Sequence, residues 1–151
     1  MDIYIQFARS ELGLGKRDKV LEYLNKARRI FLSDNSSNPK DANYSEDLGL
    51  AVSYVVEGDL LCAKNNRKKA IESYHKAYLI YLSLYGERLK NVAQVSYLYL
   101  QGATAACKTK DLYNYKFFSD QQIKEFGANH PNTITMLQYC QKYQERISNK
   151  N

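Results

Sequence analysis

The strongest constraint on the fold of this chain is that it repeats itself. Residues 3–33 align without a gap on residues 53–83, at a constant offset of fifty positions. The matched positions are small or apolar in both copies: Tyr4 with Tyr54, Ala8 with Gly58, Val20 with Ala70, Leu24 with Tyr74, Ala27 with Ala77, Ile30 with Ile80, and Leu32 with Leu82. A second match places residues 85–98 on residues 126–139. Self-similarity of this kind is typical of a protein built from stacked supersecondary units.

Each repeat unit is predicted to be two helices joined by a short turn, followed by a connector that contains glycine. The chain has 151 residues with only seven glycines and two prolines, and this scarcity of helix breakers favours an all-α fold. The predicted helices cover residues 2–13, 17–33, 44–64, 67–85, 89–108, 111–126 and 131–148. The polar stretch SDNSSNPKDAN, residues 33–43, is predicted to be a loop.

Small and aromatic residues recur at fixed positions in these units. The second unit carries the clearest set, which is Tyr54, Gly58, Leu61, Ala70, Tyr74 and Ala77. This pattern resembles the tetratricopeptide repeat, in which small residues allow two helices to approach closely and large apolar residues fill the space around them. The first unit departs from the pattern at Glu11, and the third has Asn114, Phe118 and Gln121 where Ala, an aromatic residue and Ala are expected. The register of the third unit's second helix is therefore left open.

The connector FGANHPNT, residues 126–133, is similar to the linkers of kinesin-light-chain-type tetratricopeptide repeats. The resemblance implies a single domain over residues 1–151 with an α-solenoid architecture, in which antiparallel helix pairs stack in a row. About three repeats are expected, over residues 1–33, 48–86 and 92–127. A final unpaired helix over residues 131–148 is expected to cap the stack, because solenoid ends need a polar outer face.

The charge composition weakly favours an acidic partner. The chain has 22 Lys and Arg against 16 Asp and Glu, for a formal net charge of +6. The basic residues are scattered along the sequence with acids among them, which is more typical of a solvated surface than of a nucleic-acid-binding stripe. The uncharged stretch over residues 91–107 contains several polar side chains and is expected to be a buried helix, not a membrane span.

No pattern in the sequence predicts catalysis, a cofactor or a metal site. The histidines, His75 and His130, are not part of a recognisable triad, and Gly15-Lys16 lacks the other residues of a phosphate-binding loop. The three cysteines are far apart in the sequence and are expected to be reduced, buried side chains of a cytoplasmic protein. We therefore expect a protein that is not an enzyme.

The family resemblance implies that the first helix of each pair lines a concave groove, since solenoids use such surfaces for binding. The groove positions in this chain are Gln6, Arg9, Val52, Val55, Asp59, Ser96, Tyr99, Ala103 and Gln144. The expected function is non-catalytic binding of a peptide or helix from a partner protein. The alternative is a peptide-sensing domain of a bacterial signalling or transcriptional regulator. Self-association to a homodimer stays open, because short repeat arrays can expose apolar ends.

Overall fold

The computed structural model describes residues 3–33 and 44–148, and the side chains of residues 3–31 and 47–141. This part of the chain is all helical and has no strand. Seven α-helices follow one another: α1 (Ile3–Gly13), α2 (Arg17–Ser33), α3 (Tyr44–Ala63), α4 (Arg67–Tyr85), α5 (Ala93–Lys108), α6 (Leu112–Phe126) and α7 (Pro131–Ser148). The predicted loop lies, apart from Ser33, outside the described residues.

One predicted helix boundary was wrong. The helix expected to begin at residue 89 begins at Ala93, because the chain forms a 3₁₀ helix over Gly86–Asn91 before it enters α5. This short helix buries Leu89 against the core, and Gly86 begins it with a positive φ of 53°. The other boundaries agree within two residues, since short turns and connectors separate the helices at the expected positions.

The turns inside the three helix pairs have the same backbone geometry. Their central residues are Gly15, Asn65 and Lys110, which adopt φ values of 77°, 61° and 60°. In each turn the following amide donates back across five residues to the last helical turn: Lys16 to Glu11 at 2.8 Å, Asn66 to Leu61 at 2.8 Å, and Asp111 to Ala106 at 2.9 Å. This is the Schellman arrangement, which satisfies carbonyls at a helix end. Three equivalent turns mark three equivalent helix pairs.

An aromatic ring packs directly on a glycine in the second and third pairs. A Cβ atom added at Gly58 would lie 2.4 Å from the ring of Tyr74, and one added at Gly102 would lie 2.7 Å from the ring of Phe118. Each ring follows its glycine by sixteen residues. Phe118 therefore occupies in the third pair the place that Tyr74 occupies in the second. This contact gives the register of α6 that the sequence pattern left open.

Helix α3 contributes to two hydrophobic clusters because two of its faces are covered. Val52, Val56 and Leu60 pack in a cluster with the residues of α1 and α2. Ala51 and Val55 belong to the second cluster, which extends through α4, α5, α6 and α7. Helix α3, the first helix of the second pair, thus joins the first pair to the rest of the described helices.

Arg28 on α2 makes several contacts across the interface between the first two helix pairs. Its guanidinium forms an ion pair with Glu57 at 3.0 Å, donates to the Ser53 hydroxyl at 3.1 Å, and lies 4.4 Å from the ring centroid of Tyr54. Phe31 on α2 rests on Gly49 of α3. Arg28 contacts Glu57, whereas Phe31, which comes later in α2, contacts Gly49, which comes earlier in α3. Helices α2 and α3 therefore run antiparallel.

The structure has no helix, among those searched in the described ranges, with the length and hydrophobicity needed to cross a bilayer. The uncharged segment before Cys107 forms most of α5, and nine residues of that helix are buried. This agrees with the prediction of a buried helix at that position.

Candidate binding surface

The carboxylate of Asp59, on α3, accepts hydrogen bonds from side chains of two other helices. Its Oδ1 atom accepts hydrogen bonds from the Tyr74 hydroxyl at 2.6 Å and from Gln101 Nε2 at 3.0 Å. Its Oδ2 atom accepts from the Tyr97 hydroxyl at 2.8 Å. Tyr74 lies on α4, whereas Tyr97 and Gln101 lie on α5, so this one acidic group on α3 links two neighbouring pairs.

Burial and the nearby Asp59 charge both raise the pKa of Tyr74 and of Tyr97. The two phenols therefore stay protonated and continue to donate to the carboxylate. A carboxylate that accepts several good hydrogen bonds is held in one orientation. The three donors thus fix the orientation of the Asp59 side chain.

A surface depression of about 390 Å³ lies beside this carboxylate. It is formed by helices α1, α3 and α5, which are the first helices of the three pairs. Its lining residues are Arg9, Leu12, Gly13, Val56, Asp59 and Tyr97. The depression therefore combines one cationic group, one anionic group, aliphatic side chains and the ring of a tyrosine.

The structure places the predicted groove residues in very different environments. Arg9 and Asp59 line the depression, and Gln6 is exposed on α1. Five others are buried between helices: Val52, Val55, Ser96, Tyr99 and Ala103. Gln144 belongs to α7, but its side chain lies outside the described residues.

Two of the five buried positions, Tyr99 and Ser96, have hydrogen-bond partners on neighbouring helices. The Tyr99 hydroxyl donates to Glu125 at 2.7 Å, which joins α5 to α6. Ser96 donates to Gln122 at 3.1 Å and accepts from Asn132 Nδ2 at 3.0 Å. Gln122 in turn donates to Thr133 at 2.9 Å, so this polar chain connects α5, α6 and α7. In this conformation these side chains hold the helices together and leave the accessible surface to other residues.

The lining residues Leu12, Gly13 and Tyr97 were not predicted as groove positions. Leu12 lies at the end of α1, next to the degenerate position Glu11 of the repeat pattern. Tyr97 lies beside the predicted Ser96 on α5, but its side chain points to Asp59 instead of into the core. Asp59 and its tyrosine partners, which are 15 and 38 residues away in the sequence, give no local signal, because the contacts are made between different helices.

The histidines and cysteines have structural contacts. Nε2 of His75 lies 2.6 Å from Asn114 Oδ1, and its ring packs against Phe117 and Phe118. His75 is thus half-buried where α4 contacts α6. Cys107 and Cys140 are buried and do not form a disulfide, and burial raises the pKa of both thiols. No group of residues in the described part of the chain has the composition and geometry to hold a metal ion.

The buried tyrosines make stability sensitive to alkaline pH. Burial raises the pKa of Tyr81 from 10.0 to about 12, so its neutral form is favoured in the folded protein. The resulting stabilisation is complete below the unfolded-state pKa and is lost as the pH rises from 10 towards 12. We expect the free energy of unfolding, measured by urea denaturation across this range, to fall with pH and to fall less steeply in Tyr81→Phe. A free energy that stays constant over the range would contradict this.

Comparisons with protein-family models, with curated proteins and with solved structures found no match to this chain.

Proposed function

We propose that this chain is a tetratricopeptide-like α-solenoid that binds a peptide segment of another protein without chemical change. Three observations support the architecture: the three equivalent turns, the two glycine–aromatic contacts at the same spacing, and the packing of each helix pair on the next. In such a stack the first helices line the concave side. Here those helices are α1, α3 and α5, and α7 is the cap.

The observation that carries the functional proposal is the depression shared by these three helices. A site built from three repeat units at once is suited to an extended or helical peptide, because the peptide crosses the units. The side chains of Leu12 and Tyr97 offer apolar contact. Arg9 offers a cation to an acidic side chain, and Asp59 Oδ2, which has one described donor, can accept a further hydrogen bond.

The depression therefore favours a peptide with an apolar residue flanked by an acidic group. Asp59 is already oriented by its tyrosine and glutamine donors, so the site loses little conformational entropy when a ligand binds. The proposed recognition needs neither a nucleophile nor a proton-transfer group.

Peptide selection from a random library displayed on phage, with the intact chain immobilised, tests this proposal. The affinity of the selected peptide is then measured by calorimetry for the wild type and for Arg9→Glu. We expect a loss of about tenfold or more, equivalent to about 1.4 kcal/mol, because the substitution reverses the charge at the rim of the depression. The matched control is Arg29→Glu, which reverses an exposed charge on α2.

The two variants must keep the helical circular dichroism of the wild type. Equal affinities in Arg9→Glu and Arg29→Glu would place the peptide elsewhere on the molecule. Failure of the library to yield any specific peptide would count against a peptide-binding function.

A further inference from the structure

The turns within the three helix pairs lie along one edge of the molecule. Helices α2 and α3 are antiparallel, as are α3 and α4, so α2 and α4 run in the same direction. Helices α4 and α6 also run in the same direction: His75 contacts Asn114, and Tyr78 contacts Phe117 at 5.1 Å between ring centroids. The amino ends of α2, α4 and α6 are therefore side by side.

This edge concentrates the positive charge of the chain. We define the basic edge as residues 14–19, 64–69 and 108–113, which hold nine Lys and Arg residues against Asp18 and Asp111. Seven of the nine are exposed, and Arg67 and Lys108 are half-buried. Asp111 caps α6 by accepting from the Asn114 amide at 3.1 Å. The connector Gly86–Asn91, at the opposite edge, is nearly balanced, with Glu87, Arg88 and Lys90.

The basic edge also carries the most exposed large apolar side chains that the structure describes. Their exposed fractions are 80% for Tyr113, 71% for Leu112 and 67% for Leu14. None of them belongs to either hydrophobic cluster. Exposed apolar side chains next to basic residues are typical of a surface that binds at a membrane interface, where the hydrocarbon is buried and the charges contact headgroups.

We propose that the basic edge docks on an anionic membrane surface. The Lys and Arg side chains would contact acidic lipid headgroups, to which each contributes attraction near the surface. Leu14, Leu112 and Tyr113 would enter the interfacial layer, where hydrocarbon is buried and a tyrosine hydroxyl stays hydrated. A concavity of about 480 Å³ lined by Gly15, Lys16, Arg17, Asp18 and Lys19 offers space for a headgroup. This docking is peripheral and goes beyond the proposed peptide binding.

The apolar tips favour a membrane over a nucleic acid as the partner. A phosphate backbone would satisfy the lysines, but the aliphatic Leu14 and Leu112 would gain nothing from phosphates and cannot stack on bases as aromatic rings do. A lipid interface offers headgroup charge to the lysines and hydrocarbon to Leu14 and Leu112, because the two lie within a few ångströms of each other.

Co-sedimentation with vesicles tests the charged part of the proposal. The probes are vesicles of phosphatidylcholine alone and vesicles of phosphatidylcholine with phosphatidylserine. We expect the intact chain to bind the anionic vesicles, and we expect the double variant Lys68→Gln/Lys69→Gln to bind them about 25-fold more weakly, since each basic residue contributes about fivefold. The matched control is Lys90→Gln/Lys124→Gln, which removes the same charge from exposed residues away from the basic edge.

A second pair of variants tests the apolar part. Leu112→Ser should weaken binding to the anionic vesicles by roughly tenfold, because it removes hydrocarbon that enters the interface. Leu79→Ser, at a residue of α4 that is 61% exposed, should leave binding unchanged. Equal losses in the two members of either pair would overturn the proposal. Equal binding to the two kinds of vesicle, or binding to single-stranded RNA without binding to vesicles, would also overturn it.

Discussion

Replacing Tyr74 by alanine is expected to lower the free energy of unfolding by about 3 to 5 kcal/mol, the range found when a large buried ring is removed from a core. The Tyr74 side chain is fully buried and rests on the backbone of Gly58. Its removal leaves a cavity at the centre of the second helix pair. It also deprives Asp59 of the hydroxyl donor at 2.6 Å. The measurement is urea denaturation followed by circular dichroism.

Tyr74→Phe separates the ring from its hydroxyl group. This variant keeps the packing on Gly58 but leaves Asp59 Oδ1 with the Gln101 donor alone. We expect a cost of about 1.5 to 3 kcal/mol, the usual value for a hydrogen bond to a charged group. If Tyr74→Ala cost no more than Tyr74→Phe, the ring would not be a part of the core.

The second large effect is expected at Gly58, where two physical terms oppose each other. Alanine is favoured over glycine inside a helix by about 1 kcal/mol. However, the added Cβ atom would lie 2.4 Å from the Tyr74 ring, and this ring cannot move aside because its hydroxyl is bonded to Asp59. We expect the steric term to dominate and Gly58→Ala to lower the free energy of unfolding by about 1 to 3 kcal/mol.

Gly13→Ala is the matched control for this prediction. A Cβ atom added at Gly13, also in a helix, would meet nothing within 4 Å, so the substitution should be neutral or stabilising by about 0.4 to 1 kcal/mol. A third variant tests the mechanism: in a Tyr74→Ala background the ring is absent, so Gly58→Ala should lose most of its cost. Additive effects of the two substitutions would show that the ring contact is not the cause.

The positions of the helices could be predicted from the sequence because their signals are local. The turn residues around Gly15 and Asn65 and the apolar spacing each depend on neighbouring residues, and the repeat presents the same local signals a second time. The error at residues 89–92, in contrast, is associated with a tertiary contact. The segment after Gly86 has helical composition, but it turns as a 3₁₀ helix because Leu89 is drawn into the core.

The register of α6 could be assigned only from a contact between residues that are distant in the sequence. Asn114 and Gln121 stand where the repeat pattern has alanine, so the sequence offered no alignment for the third pair. Phe118 on Gly102 provides it. Asn114 is explained by the same packing, since its Oδ1 atom accepts from Nε2 of His75 in the preceding pair and its backbone amide donates to the helix cap Asp111.

The accessible surface was the least predictable feature. Repeat positions identify which residues face a neighbouring helix or a groove, but exposure depends on how closely the next pair packs. Val55 and Tyr99 are covered because their helices contact two pairs each, whereas Tyr97, two residues from Tyr99, reaches out to Asp59.

The sequence by itself determined the helix pairs and their order, because apolar periodicity and turn residues act over one or two helical turns. Only the tertiary structure decided which side chains form the depression beside Asp59. It also decided that basic residues about fifty positions apart lie together, because parallel stacking of α2, α4 and α6 brings their amino ends to one edge. Residues that appear scattered along the chain become one surface when identical turns are stacked in register.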